Sequence, residues 1–189
     1  MPRHADPALE QRILKAARKL WKQGGEHALT MRAVAKQART TTPTVYERFR
    51  SRRKILQALC VETRQKLFAE LHPTTSLHQA CDLYLKFAAK HPHEYELLGA
   101  GWSKPPSVNE QWPSFNLTKE RLAVRHGGKP DDYTRFVLSV WELLHGTAML
   151  TVVGKTSQAL QLEMRVACLE AVDTLAAALE NAAASHEGN

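Results

Sequence analysis

The chain is poor in the residues on which several classes of protein depend. Its 189 residues include three cysteines, Cys60, Cys81 and Cys168, and none of them has the CxxC spacing of a metal or redox site. No uninterrupted apolar run approaches the roughly 18 residues of a membrane span, and the N-terminal residues lack the hydrophobic region of a signal peptide. We therefore expect three buried free thiols in a soluble, cytoplasmic protein that does not associate with membranes.

Motifs for catalysis or cofactor binding are also missing from the sequence. It has no nucleophile elbow, no glycine-rich phosphate loop and no helix motif with paired metal ligands. The segment His91-Pro92-His93 could hold a metal, but a solvated loop is the better interpretation, because only Glu94 and Glu96 accompany it. We expect a protein that is not an enzyme and that needs no metal or cofactor.

Acidic residues are scarce in the first sixty positions. Residues 1–60 contain 14 Lys or Arg and 4 Asp or Glu, a net charge of +10, whereas residues 61–189 have a net charge of −3. Such a basic block attracts the phosphate backbone of nucleic acid through counterion release. Membrane binding is the competing interpretation, and it is weaker because the apolar face of the first helix is needed for packing.

Apolar residues recur at helical spacing along the chain, and no segment has a convincing strand alternative. Asp6-Pro7 is expected to begin the first helix, and Gly24-Gly25 to end it. Beyond residue 50 the predicted helices cover 51–71, 76–90, 92–99, 116–126, 131–153 and 157–183. The predicted fold is all-α with about nine helices, in which residues 1–52 form an N-terminal head that includes most of the basic block and residues 53–189 form a helical bundle.

The segment from residue 30 to residue 56 is the most informative part of the sequence. Thr30 can cap a first helix, because its hydroxyl accepts a free backbone N–H. A second helix is expected to begin at Thr41 or Thr42, with Pro43 in its first turn, where a missing N–H leaves no hydrogen bond unmade. The apolar residues of the pair share one face: Met31, Val34, Ala35, Ala38, Val45 and Phe49. Two short helices joined by a tight turn, with basic residues crowding the second, are typical of a helix-turn-helix DNA reader.

Specific residues also match a known family. They are Ile13, Leu14, Ala16, Ala17, Leu20, Trp21, Gly24 or Gly25, Leu29-Thr30-Met31, Val34-Ala35, Ala38, Pro43-Thr44-Val45-Tyr46, Phe49, Ser51-Arg52 and Ile55-Leu56. On these positions the chain resembles the TetR-type bacterial transcriptional regulators. The resemblance implies that Thr30, Tyr46 and Arg52 bind DNA phosphates, and that Thr41, Thr42 and Thr44 approach base edges. Arg48 could read guanine or only touch a phosphate.

Arg39 is a departure from the family pattern. Members usually have glycine at this position in the turn, because glycine adopts positive φ without a Cβ clash. An arginine in that conformation costs about 1–2 kcal/mol. Either the turn follows another backbone path, or the strain is tolerated because Arg39 adds a phosphate contact.

The last two predicted helices are the longest and have broad apolar faces. Two such antiparallel helices can pair with a second copy into a four-helix bundle, and two-fold operators require two-fold proteins. Within the first of them, the segment from Trp141 through His145 to Gly146 resembles the WHG signature of one TetR subgroup. We therefore expect a homodimer through the two C-terminal helices, although both faces could also be filled within one chain.

A ligand pocket is expected among the helices after residue 76. Aromatic and polar residues there would suit an apolar or aromatic small molecule, and the predicted ligand residues are Tyr84, Phe87, Trp102, Trp112, Phe115, Trp141, His145 and Met149. The resulting prediction is a repressor that binds a double-stranded DNA operator and is released by a small effector of unknown identity. Two alternatives stay open: a constitutive DNA binder without an effector, and a helical small-molecule-binding or catalytic module with a nonspecific basic head.

Overall fold

The computed structural model describes residues 7–99, 113–154 and 156–187, with side chains as far as Asn181. This part of the chain is all-α, as predicted, with nine α-helices, one 3-10 turn and no strand. The helices are α1 (Pro7–Ala28), α2 (Met31–Gln37), α3 (Thr42–Arg48), α4 (Arg52–Leu71), α5 (Leu77–Lys90), α6 (Pro92–Gly99), α7 (Pro113–His126), α8 (Thr134–Val153) and α9 (Gln158–Glu187).

The helix boundaries follow the predicted signals, with four differences, one of which is that α9 continues to Glu187 rather than ending at residue 183. Gly24 and Gly25 interrupt α1, and Gly25 has a φ of 57°, but helical geometry resumes beyond them as far as Ala28. Helix α7 begins three residues earlier than predicted, at Pro113, because proline fits the first turn of a helix. A 3-10 turn, Pro130–Tyr133, precedes α8, and the Asp132 carboxylate accepts the Lys129 backbone N–H at 2.8 Å.

The chain forms two compact units. The first contains α1 to α3, α4 as far as Gln65, and α6 from His93. Its core consists of Ile13, Leu14, Ala16, Ala17, Trp21, Leu29, Met31, Val34, Ala35, Ala38, Val45, Phe49, Ile55, Leu56, Leu59 and Leu97. The sequence suggested a functional division at residue 52, which differs from this division into compact units and stays a prediction.

Within this first unit, a hydrogen bond and an ion pair connect α6 to α1. The Trp21 indole N–H donates to the His93 carbonyl, and the Lys22 ammonium pairs with the Glu94 carboxylate at 2.7 Å. The Glu94 side chain is only 7% exposed. The ion pair with Lys22 therefore compensates for the water that this carboxylate loses on burial. The far end of α1 is therefore held by contacts distant in sequence.

The second unit contains α4 from Lys66, α5, α7, α8 and α9. Asp82 of α5 pairs with Arg165 of α9, and the Lys86 ammonium lies 2.6 Å from the same carboxylate. The segment Pro130–Val153 is long and apolar enough to cross a membrane by length and composition alone. Val137, Val140, Leu144 and Ala148 are the buried residues of α8, and 22% of the segment's most apolar stretch is buried in the chain. All three cysteines are buried and free, as expected.

Candidate DNA-binding site

Hydroxyl side chains fix the starts of the two short helices. The Thr30 hydroxyl accepts the Ala33 N–H at 3.1 Å, and the Thr41 hydroxyl accepts the Thr44 N–H at 3.3 Å. These bonds satisfy backbone donors that a helix end leaves open. The predicted Thr30 cap is confirmed, and Thr41 caps the second helix, which begins at Thr42. The Thr41 and Thr44 hydroxyls also bond to each other at 2.8 Å. One hydroxyl hydrogen of that pair is left to donate outward, for example to a base edge.

The turn between α2 and α3 takes the left-handed path that the family pattern implies. Arg39 has a φ of 53°. The Thr40 N–H donates to the Ala35 carbonyl at 3.0 Å, and the Arg39 N–H donates to the Lys36 carbonyl at 3.2 Å. This pair of bonds is a Schellman motif with Arg39 at the position that favours glycine. The turn therefore does not follow another backbone path, and Arg39 adopts the strained left-handed conformation. A phosphate contact by Arg39 stays a prediction.

Burial divides α3 into a core side and an outer side. Val45 is fully buried and Phe49 is 6% exposed, which fits their predicted packing role. Tyr46 is 48% exposed, and the side chains of Thr42, Thr44 and Arg48 are half-buried. An aromatic ring with nearly half its surface in water can pack with one edge and offer its hydroxyl to a phosphate.

Positive charge covers the outside of this motif. Residues 30–54 contain eight Lys or Arg and one acid, Glu47. The exposed cations include Arg39 and five others, Arg32, Lys36, Arg50, Arg53 and Lys54. Arg32 and Lys36 were absent from the predicted contacts, although both occupy the polar face of α2. The motif thus combines short hydroxyl side chains, one exposed tyrosine and a dense set of cations.

Arg52 has an acidic partner that the sequence did not suggest. Its guanidinium forms an ion pair with the Glu26 carboxylate, and it also donates to the Glu26 backbone carbonyl at 3.2 Å. These contacts join the end of α1 to the start of α4. Both side chains remain partly exposed, so a DNA phosphate can compete with Glu26 for the guanidinium. The predicted phosphate contact of Arg52 is untested by this geometry and stays a prediction.

The six predicted ligand residues that the structure describes do not line the cleft found in the second unit. That cleft has a volume of about 620 Å³ and lies among the α4–α5 corner, α5, α7, α8 and α9. Phe87 is 2% exposed and packs in the core, whereas Tyr84, Phe115, Trp141, His145 and Met149 are half-buried away from the cleft wall. Trp102 and Trp112 lie outside the described residues. Aromatic residues at helical spacing cannot be assigned to a cavity or a core by spacing alone.

Trp141 and His145 form a stacked pair on α8. Their ring centroids are 5.1 Å apart and the planes differ by 11°. Burial lowers the pKa of His145, because the charged imidazolium loses its water. The site therefore favours a neutral ring near pH 7, which suits a contact with an apolar or aromatic group.

The fold and the motif define a class of protein: a helical DNA-binding regulator with a helix-turn-helix reader in one unit and a helical bundle in the other. Two family models identify the chain more closely. Residues 13–59 match the tetR family of bacterial regulatory proteins, and residues 77–179 match the Tetracyclin repressor-like C-terminal domain. The chain belongs to the TetR family of transcriptional regulators. No curated protein matches it.

Solved structures share the fold at low sequence identity. A TetR-like transcriptional regulator from Rhodococcus sp. RHA1 is 18% identical with a TM-score of 0.57, and the match covers 92% of this chain and 96% of that one. A transcriptional regulator from Streptomyces coelicolor is 21% identical with a TM-score of 0.59, covering 88% and 97%. A TetR from Acinetobacter baumannii AYE is 19% identical with a TM-score of 0.62, covering 89% and 95%. These similarities concern the fold and extend over nearly the full length of each relative.

Proposed function

We propose that this protein is a homodimeric repressor that binds a palindromic operator and is released from it by a small apolar or aromatic effector. The observation that supports DNA reading most directly is the helix-turn-helix motif, with capped helices, an exposed Tyr46 and a nearly unbroken set of surrounding cations. Cations of this kind position a protein on phosphates, and short threonine side chains reach base edges. The proposal includes a cytoplasmic location and no enzymatic activity.

Exposed apolar residues on the last two helices support dimerisation. They are Leu138, Leu143, Leu150 and Val153 on α8, and Leu160, Leu162 and Val166 on α9. A Cβ added at Gly146 would meet no described atom within 4 Å, so the described part of the chain does not require a residue of this small size there. A helix from a second copy would both cover these side chains and use the space at Gly146.

The proposed mechanism is a population shift acting through α4. This helix is unbroken for 20 residues, or about 30 Å, from the end of the reader into the second unit. An effector that binds better to one arrangement of the second unit would shift α4, and the two reader helices would then no longer match successive major grooves. The repressor role itself comes from the family resemblance.

The decisive experiment is binding to the DNA that flanks the protein's own coding region, measured by fluorescence anisotropy across a salt series with a scrambled duplex as control. Tight, selective binding by a dimer is the expected result. Weak and equal binding to both duplexes would contradict the proposal and favour a helical module with a nonspecific basic head. Selective binding that no ligand alters would favour a constitutive DNA binder.

Dimerisation has a separate test. Leu150, 60% exposed, and Leu162, 55% exposed, are the positions to replace with glutamate, because such exposed positions tolerate charge in a monomer. Val61→Glu is a matched control on α4, where the valine is 49% exposed. Sedimentation should show a dimer for the wild type and the control, and a monomer for Leu150→Glu/Leu162→Glu. A double variant that remains dimeric would exclude this face as the interface.

A further inference from the structure

The cleft of the second unit has the dimensions of a ligand site. Its volume of about 620 Å³ lies within the range of roughly 300–1,000 Å³ that small-molecule sites occupy. Apolar side chains make up much of its wall: Leu77, Ala80, Leu117, Leu122, Val124, Phe136, Ala176 and Leu179. Val124 is 88% exposed, so one wall residue presents an apolar side chain almost entirely to water. An apolar ligand in the cleft would cover such surface.

Arg121 lies at the edge of this cleft with its guanidinium already oriented. It donates to the His72 carbonyl at 2.6 Å and to the Thr74 hydroxyl at 3.4 Å. Both of these partners are neutral. Within the described residues, these hydrogen bonds therefore do not compensate the positive charge of Arg121 with an anion. The preceding residue, Glu120, also belongs to the wall but projects about 100° away around α7.

Arg125, the other arginine of the cleft wall, is already paired with a carboxylate. Arg125 donates to the Glu180 carboxylate at 2.7 Å, which joins α7 to α9 and compensates both charges. Arg121 is therefore the cation available to an incoming ligand. A guanidinium with two of its donors fixed still has further N–H groups, and their planar arrangement matches the two oxygens of a carboxylate.

We propose that this cleft binds a small, largely apolar molecule that bears one carboxylate, with Arg121 as the anchor. The apolar wall takes the body of the molecule, and the oriented guanidinium takes the acid through charge-assisted hydrogen bonds. The site is separate from the aromatic residues on α5 and α8 to which the sequence pointed.

A regulatory consequence rests on the function proposed above. His72 is the residue directly after α4, so Arg121 holds the end of that helix. A carboxylate that engages Arg121 competes with the His72 carbonyl for the same donors. Ligand binding would thus loosen the end of α4 within the second unit.

The test compares 8-phenyloctanoate with 8-phenyloctanamide, which has the same shape but no charge, by isothermal titration calorimetry on the full-length protein. We expect wild-type protein to bind the carboxylate at least tenfold more tightly than the amide. Arg121→Gln should remove that preference while binding of the amide persists, which shows that the variant is folded. Arg125→Gln is the matched control, and it should keep most of the preference because the charge of Arg125 is already compensated.

Three outcomes would overturn the proposal: equal binding of the two probes by the wild type, a preference that survives in Arg121→Gln, or no binding of either probe at 1 mM (roughly −4 kcal/mol). In the last case, a change of oligomeric state in Val124→Glu would show that a second copy covers the cleft. Operator binding is measured independently. A selective carboxylate site without an effect on operator affinity would keep the site and reject its regulatory role, whereas failure to bind any operator would reject the proposed function alone.

Discussion

Replacing Arg39 by glycine should stabilise the protein. Arg39 occupies the left-handed position of a Schellman motif with a φ of 53°, where a Cβ costs about 1–2 kcal/mol. Glycine also gives the unfolded chain more conformational freedom, which costs about 0.5–1 kcal/mol. The net gain in the free energy of unfolding is about 0.5–1 kcal/mol.

Arg39→Ala is the control that separates backbone strain from the guanidinium. Alanine keeps the Cβ and hence the strain, but it lacks the charge. Urea unfolding at one fixed protein concentration, followed by helical circular dichroism, should give the order glycine above arginine, with alanine close to arginine. With a denaturant slope of about 2 kcal/mol per M, the gain moves the urea midpoint of Arg39→Gly upward by about 0.3–0.5 M. A midpoint equal to that of Arg39→Ala would refute the assignment of strain to this turn.

The same two variants test the phosphate contact of Arg39. Each phosphate neutralised on duplex DNA contributes about −0.9 to the slope of log affinity against log salt. A dimer with one such contact per subunit should lose about 1.8 units of slope in both variants alike. An unaltered affinity and slope in Arg39→Gly would show that the guanidinium is no phosphate ligand, whatever the stability result.

Three further predictions concern single contacts. Glu26→Gln removes the carboxylate that competes with a DNA phosphate for Arg52 and should tighten DNA binding by up to about fivefold in the anisotropy assay; no gain, with unchanged binding by Arg52→Ala, would remove Arg52 from the DNA contacts. Lys22→Ala removes the cation that pairs with the buried Glu94 carboxylate at 2.7 Å and should cost about 2 kcal/mol in urea unfolding, more than Glu94→Gln, which removes the charge itself; equal costs would contradict this. Burial lowers the pKa of His145 in the folded protein. With respect to His145, the folded state is therefore fully stable above about pH 6.5, the ordinary pKa of histidine, and loses stability as pH falls through the lowered folded pKa. His145→Gln should lose less free energy of unfolding than wild type between about pH 7.5 and 5.5, and identical pH profiles would contradict this.

Local signals accounted for the helices and for the reader motif. Thr30 and Thr41 cap their helices, and Gly24-Gly25 interrupts α1, because each effect depends on residues within one turn of the chain. The departure at Arg39 was visible from the family resemblance, because members usually have glycine at this position, two residues after the end of α2.

Contacts between distant segments could not be predicted in this way. Glu26 and Arg52 are 26 positions apart, and Arg121 and His72 are 49 apart, so no periodicity relates them. The cleft depends on how four helices pack, whereas the sequence shows only that a residue is apolar or aromatic. Phe87 therefore looked equally suited to a pocket and to a core, and packing placed it in the core.

The two ends of α4 have the same kind of contact. At its start, the Arg52 guanidinium is held by Glu26, and just after its end, the His72 carbonyl is held by Arg121. Each contact is partly exposed and is one for which an outside anion can compete, a DNA phosphate at the first and a ligand carboxylate at the second. A rotation of about 5° over a helix of about 30 Å displaces its far end by about 3 Å, comparable with the length of a hydrogen bond. In the proposed mechanism, a rotation of this size would therefore be enough to displace a DNA contact made at the start of α4.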